Sequence, residues 1–347
     1  MTKIAAASKS TDAAKTIDIY GLGNALVDFL VEVDDALLGE LRLTKGRFHL
    51  TDAAHSRKIL ERITYANVRI AAGGSAANAT AMAALLGAKT AFCGKLGDDE
   101  YGHLYEQETL AAGAVSKLST SRELTGHCIV LITPDAERTF AVHYGASTRM
   151  GAHDISEDDI RSSRLIHLDG YFLEDEKTRE PALHALRLAK KHRTKVSLDL
   201  SDAGVVERSK AFFISSIKQH ADIVFANEQE AEALTGKKAE EAATELAQWC
   251  ETAIVKRGVH GSLIARGKEL IRVSAVKAHA VDTTGAGDAY AAGFLYGLLK
   301  GWPLKDAGEL ASALAAKVVE QVGARLAPGA LDDATFSHKR QSGYSSS

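Results

Sequence analysis

Short apolar runs that alternate with longer helical patterns constrain this chain more than any other feature. IDIYGLG (17–23), VRIAAG (68–73), TAFCGKLG (90–97), RLIHLDG (164–170), KVSLDLS (195–201), DIVFAN (222–227) and TAIVKRG (252–258) read as strands. Stretches 75–86, 99–112, 177–192 and 207–219 between them read as helices. Such alternation points to a mainly parallel, doubly wound α/β sheet with helices on both faces. On sheets of that kind ligands bind beyond the carboxyl ends of the strands, and many of these runs end in Gly, Asp or Asn.

Two stretches break the alternation. GHCIVLITPDAERTFAVHYG (126–145) reads as a hairpin with Pro134 and Asp135 in its turn. Residues 29–50 lack a helical stripe over most of their length. Together they suggest a small β-sheet beside one continuous core spanning 17–330. Residues 1–16 and 331–347 read as disordered tails.

The 347 residues are 46% hydrophobic and 25% charged, values that suit a globular protein with a sizeable core. A net charge of −3 with interspersed signs argues against a nucleic-acid or membrane surface. Cys93, Cys128 and Cys250 are far apart, which fits reduced thiols in the cytoplasm. No apolar run approaches the roughly 18 residues of a membrane span. The N-terminus lacks the apolar core of a secretory signal.

The chemistry centres on VDTTGAGDAYAAGFLYGLLKG (281–301). Gly285, Ala286 and Gly287 offer main-chain N–H groups at a helix start. Those donors have no partners within the helix and carry the positive end of its dipole, so an anion is stabilised there. Asp288 follows in the first turn. A base beside a phosphate site is what phosphoryl transfer to an alcohol requires. Taken alone, GAGD reads rather as an ordinary helix start with a dipole-favoured acid. Gly293 and Gly297, further along, read as close-packing positions.

A second glycine-rich loop lies in AAGGSAANATAMAALLGAKTAFCGKLGDDEYG (71–102). Gly73 and Gly74 open a helix whose first turn holds Asn78, which suits either a ligand contact or a plain strand-to-helix turn. In IYGLGNALVDFLVEVDD, a dinucleotide fingerprint would need a third glycine where Leu26 stands. Asp28, an acid within an apolar run, suits sugar hydroxyls or a solvated edge. GxxxxGK[ST], HRD, DFG, HExxH and GxSxG are all absent, and the 13 histidines are scattered.

Together, GGSAANAT followed by Gly87 and Gly97, and DTTGAGDAYAAGF, resemble the two signatures of the ribokinase/PfkB family, in the same order. The resemblance covers roughly residues 17 to 326. It implies a ribokinase-like sheet with a β-sheet lid that closes over substrate and excludes water. It implies that Asp288 is the catalytic base and that Gly285, Ala286 and Gly287 form the anion hole. Asn24, Asp28, Gly73, Gly74 and Asn78 match substrate-hydroxyl positions, and Arg138 matches a lid residue that reaches substrate or phosphate. Asn227 and Glu230 match a motif that organises Mg2+ through water, and Lys256, Gly258 and Gly261 a nucleotide-binding loop. Asp282 and Thr284 resemble a monovalent-cation site for K+.

GLGNALVDFLVEV, ERTFAVHYGAST and LDGYFLED look most like the adenosine-kinase-like branch. The resemblance therefore implies ATP and Mg2+ as cofactors and a small-molecule nucleoside or sugar as acceptor. Phe48 and Tyr144 are the lid's candidate base-stacking rings. A ribokinase- or fructokinase-type sugar kinase and a non-catalytic sensor on the same fold stay open. So do a monomer and a homodimer through an uncovered lid sheet.

Overall fold

The computed structural model describes residues 15–63, 68–135, 137–327 and 329–331. The expected tails lie outside these residues, apart from 15, 16 and 331. In chain order the strands are β1 (Ile17–Leu22), β2 (Leu26–Glu32), β3 (Phe48–Leu50), β4 (Arg69–Ala72), β5 (Thr90–Gly97), β6 (Val115–Ser121) and β7 (Gly126–Ile132). They continue with β8 (Arg138–His143), β9 (Ser163–Asp169), β10 (Lys195–Asp199), β11 (Ile223–Asn227), β12 (Thr252–Lys256), β13 (Ser262–Arg266) and β14 (Glu269–Val273).

Nine strands form the large sheet, in the order β14-β13-β12-β11-β10-β9-β1-β5-β6. From β12 to β6 all neighbours are parallel; β13 and β14 add an antiparallel edge. The two-residue period of a strand sends alternate side chains to opposite faces. Val224 and Ala226 of β11 and Ala253 and Val255 of β12 enter one core, which packs against helices Glu176–His192, Lys210–His220 and Glu228–Thr235. Ile223, Phe225 and Ile254 enter the other, against Ser75–Leu85, Ala286–Leu299 and Leu304–Val319. Strands buried on both faces read as continuous apolar runs, which is why they stand out in the sequence.

The small sheet has the order β3-β8-β7-β2-β4. The hairpin expected at 126–145 is the antiparallel pair β7–β8. Three segments depart from expectation. β4, read as one more strand of the alternation, pairs antiparallel with β2 in the small sheet. The small sheet also begins at Leu26, because the chain crosses from β1 to β2 through only Gly23, Asn24 and Ala25. The helix expected at 207–219 is two helices, Ala203–Arg208 and Lys210–His220, broken at Ser209, whose backbone leaves the helical region.

Val27, Phe29 and Val31 of β2, with Ile129 and Leu131 of β7, pack against the helices Asp35–Glu40, Ala53–Ile63 and Glu100–Ala111. Leu26, Leu30, Cys128, Val130 and Val142 face the other way, toward the carboxyl ends of the large sheet. One face of the small sheet is thus packed against helices and the other looks into the molecule. Among the described residues no helix is long and apolar enough to cross a membrane.

Gly293 lets two helices touch. A Cβ built on it would stand 2.8 Å from the Ala311 Cα of the helix Leu304–Val319, closer than real Cβ contacts come. Gly293→Val is therefore expected to destabilise the fold by about 1–3 kcal/mol in urea unfolding. An unchanged midpoint would show that these helices do not pack this closely.

Candidate functional site

Four adjacent parallel strands deliver their last residues to one place. Asp169 ends β9, Asp199 ends β10, Asn227 ends β11 and Lys256 ends β12. All four line a cavity of about 1000 Å3 between the strand ends and the small sheet. The lid contributes Leu26, Asp28, Cys128, Val130, Phe140 and Val142.

At the centre of the cavity stands the start of the helix Ala286–Leu299. Its cap, Gly285, has φ +76°, and a Cβ there would lie 2.4 Å from the Ala324 carbonyl oxygen, so only glycine fits the turn. Ala286 N donates to the Thr283 carbonyl at 3.3 Å, while the N–H groups of Gly287 and Asp288 stay free of an intrahelical acceptor. The Asp288 carboxylate is held at both oxygens: Ser75 Oγ donates to Oδ1 at 2.7 Å and Asn78 Nδ2 donates to Oδ2 at 2.9 Å. Burial raises the Asp288 pKa above the ordinary carboxylate range, and those two hydrogen bonds oppose the rise. The Lys256 ammonium sits at the same point, 3.0 Å from where a Cβ on Gly287 would be. It is paired with Asp199 Oδ2 at 2.7 Å. Burial alone would depress the Lys256 pKa, but Asp199 and Glu230 outweigh it and hold it above its usual value.

On the lid side, Asn24 is 3% exposed, lines the cavity, and has no partner for Oδ1 or Nδ2 among the described residues. A buried amide of that kind is costly until a ligand satisfies it. Asp28 rises from β2 onto the same wall. Its carboxylate lies against Gly73, where a Cβ would meet it at 2.3 Å. Burial pushes the Asp28 carboxyl up to about 7, against the pull of the Arg325 guanidinium. Gly74, with φ +88°, passes so close to the Asn24 carbonyl that a Cβ would stand 2.3 Å from it. Phe48 stacks on Tyr171 with centroids 5.2 Å apart and rings 19° from parallel, and Tyr144 joins the same wall.

Asn227 and Glu230 form a reciprocal cap. Asn227 N and Nδ2 donate to the two Glu230 oxygens at 2.8 and 2.6 Å, and Glu230 N donates to Asn227 Oδ1 at 2.8 Å. Burial lifts the Glu230 carboxyl above its ordinary range. Both residues border the cavity and each Glu230 oxygen keeps a lone pair, which fits water-mediated contact with Mg2+. Among the described residues no group of three or more His, Cys, Asp and Glu converges as a direct metal site. Gly258 and Gly261 line the far end with Val259, Ala275 and Val276.

Two residues stand elsewhere than the family resemblance implies. The Arg138 guanidinium does not line the cavity. It pairs with Asp282 Oδ1 at 2.9 Å and donates to Thr283 Oγ1 at 3.2 Å and to the Val281 carbonyl at 3.4 Å. Asp282 also accepts from Thr284 N at 2.7 Å and Gly323 N at 2.8 Å. With Arg138 as its counter-charge, Asp282 does not fit a K+ site in this arrangement, although Thr284 Oγ1 lacks a partner among the described residues.

The sequence reading passed over Ser75, Asp169, Tyr171, Asp199 and Arg325. Asp169 Oδ1 accepts from Phe172 N at 2.9 Å and Oδ2 from Ala76 N at 3.1 Å; burial pushes its pKa up to about 6. A signal for the acids was present: Asp169 and Asp199 each end an apolar run, where a parallel sheet places its ligands.

The sequence matches the pfkB family carbohydrate kinase profile over residues 51–329. It is 30% identical over 262 residues to a 5-dehydro-2-deoxygluconokinase of Clostridium perfringens, covering 71% of this chain and 78% of that protein. With the Bacillus subtilis 5-dehydro-2-deoxygluconokinase it shares 28% over 321 residues, covering 88% and 91%. In structure it superposes on the adenosine kinase from Sinorhizobium meliloti with a TM-score of 0.85 at 33% identity, covering 95% of this chain and 100% of that one. For a probable sugar kinase from Rhizobium etli the figures are 0.86, 31%, 94% and 99%.

The Asp28 shift has a stability consequence. Its folded pKa, about 7, lies above its ordinary 3.8, so the fold binds this proton more tightly than the unfolded chain does. The resulting stability is complete below about pH 4 and is lost as pH rises through 7. Asp28→Asn is therefore expected to stabilise the fold by about 1–3 kcal/mol at pH 8, a gain that vanishes toward pH 4. Urea unfolding at the two pH values checks it; an equal effect at both would place the Asp28 carboxylate in water.

Proposed function

The chain belongs to the pfkB family of carbohydrate kinases, and on that premise we propose that it transfers the γ-phosphoryl of ATP to a primary hydroxyl of a nucleoside, with Asp288 as general base. The observation that carries this reading is the Asp288 carboxylate, clamped by Ser75 and Asn78 at a helix start that offers unpaired N–H donors.

The acceptor's hydroxyls lie against Asn24 and Asp28, with the primary hydroxyl toward Asp288. Asp288 takes the proton from that hydroxyl as its oxygen bonds to the γ-phosphorus and the bond to the ADP oxygen breaks. The N–H groups of Gly287 and Asp288, with the Lys256 ammonium beside them, hold the charge on the transferred oxygens. ATP is the phosphoryl donor in this reading; Asn227 and Glu230 would hold Mg2+ through water, and the ion would supply neutralising charge at the phosphate oxygens. Val259, Ala275 and Val276 give an apolar wall for the adenine of ATP.

The lid supports a nucleoside over a plain sugar. Its cavity face carries Leu26, Cys128, Val130, Phe140 and Val142, with Asp28 as the charged exception, and the Phe48–Tyr171 pair extends that wall. An apolar, aromatic wall suits a base and leaves sugar hydroxyls without partners. The name of the Sinorhizobium meliloti neighbour points the same way. The second reading, a sugar kinase, is favoured by the 5-dehydro-2-deoxygluconokinases among the relatives.

Asp288→Asn is expected to lower kcat by about 10²–10⁴ while leaving the fold and ATP binding intact. Full activity in that variant would remove Asp288 as the base. ADP release measured over a panel of nucleosides and sugars is expected to respond to a purine nucleoside. A response to hexose derivatives alone would transfer the assignment to the sugar reading.

A further inference from the structure

Arg325 lies beyond the helix Leu304–Val319 and is not part of the cavity wall. It nevertheless reaches the helix start that holds the base. Its Nε donates to Asn78 Oδ1 at 2.8 Å, and one terminal nitrogen donates to the Gly73 carbonyl at 3.0 Å. Its guanidinium lies 5.7 Å over the Tyr105 ring, and the Tyr105 hydroxyl donates to that same Gly73 carbonyl at 3.0 Å. Stacking and two hydrogen bonds give the fork one orientation.

The consequence falls on Asn78. An amide has a donor end and an acceptor end, and either can turn toward a neighbour. A guanidinium only donates. With Arg325 on Oδ1, the Asn78 NH2 must face Asp288 Oδ2, where it stands at 2.9 Å. Turned over, the amide would set an oxygen against the carboxylate and lose both bonds.

We propose that Arg325 is a positioning residue for phosphoryl transfer: it locks the amide of Asn78 and thereby aims the Asp288 carboxylate, without touching the reacting atoms. This rests on Asp288 acting as the base. The role differs from a structural one in that its effect on kcat passes through the Asn78 amide.

A double-mutant cycle on the full-length enzyme tests it, using Arg325→Gln, Asn78→Ala, the pair of them, and Asp288→Asn in parallel. Arg325→Gln is expected to lower kcat by about 10–100-fold, the scale of a misaimed catalytic group, with the ATP KM within about twofold of wild type. In the Asn78→Ala background the same substitution is expected to cost less than about threefold more, because the route is already cut. The cycle is repeated with Arg325→Lys, which keeps the charge but not the fork, so that the test survives a Gln variant that fails to fold. Losses that simply multiply would overturn the proposal, as would a wild-type kcat in the Arg325 variants. If Asp288→Asn were active, the base assignment itself would fall. An inactive Asp288→Asn beside unimpaired Arg325 variants would remove only Arg325's part.

Discussion

Two hydrogen bonds to one carboxylate hold this site together. Ser75 and Asn78 begin one helix and Asp288 begins another, more than 200 residues later in the chain. Their contact brings the two glycine-rich loops to a single point, so the donors at one helix start and the polar side chains at the other face the same volume. Helix packing behind them keeps the distance: Gly293 lets Ala286–Leu299 press against its neighbour, and Ala79 and Met82 share a core with Ala289 and Phe294. The proposed chemistry at the front depends on that packing, since a base shifted by an ångström would miss the hydroxyl that the proposal assigns to it.

The cleft is also electrostatically loaded. Asp28, Asp169, Asp199, Glu230 and Asp288 line one cavity, roofed by apolar side chains and balanced by Lys256. Burial lifts the pKa of Asp28, Asp169, Glu230 and Asp288. That is the pattern expected where a fold accepts unfavourable solvation for the sake of function.

The large sheet was legible because its strands are buried on both faces and read as plain apolar runs. The glycine-rich turn at 285–288 was legible because glycine, an acid and a long apolar helix follow one another within a few residues. The lid was only half legible. Its hairpin carries its own turn signal, but β4 looks like any other short strand, and nothing local says that it pairs antiparallel with β2. Tyr171 and Arg325 escaped for a different reason. Tyr171 reads as part of a strand-to-helix turn until the fold sets it against Phe48. Arg325 reads as one more surface cation near the C-terminus, and its value comes from Gly73 and Asn78, some 250 positions earlier. Local pattern carries contacts of short sequence separation; these two are made only by the closed tertiary structure.

The Arg138–Asp282 pair carries a last consequence. Asp282 is 1% exposed and anchors Thr284 and Gly323 of the loops flanking the helix start at Gly285, while Arg138 belongs to β8 of the small sheet. Swinging that sheet outward would withdraw the guanidinium and strand a buried negative charge, a loss of about 3–5 kcal/mol for an ion pair of this kind. The pair therefore acts as a latch between the small sheet and the turn that precedes Gly285. One ion pair thus ties the position of the small sheet to the shape of the glycine-rich turn.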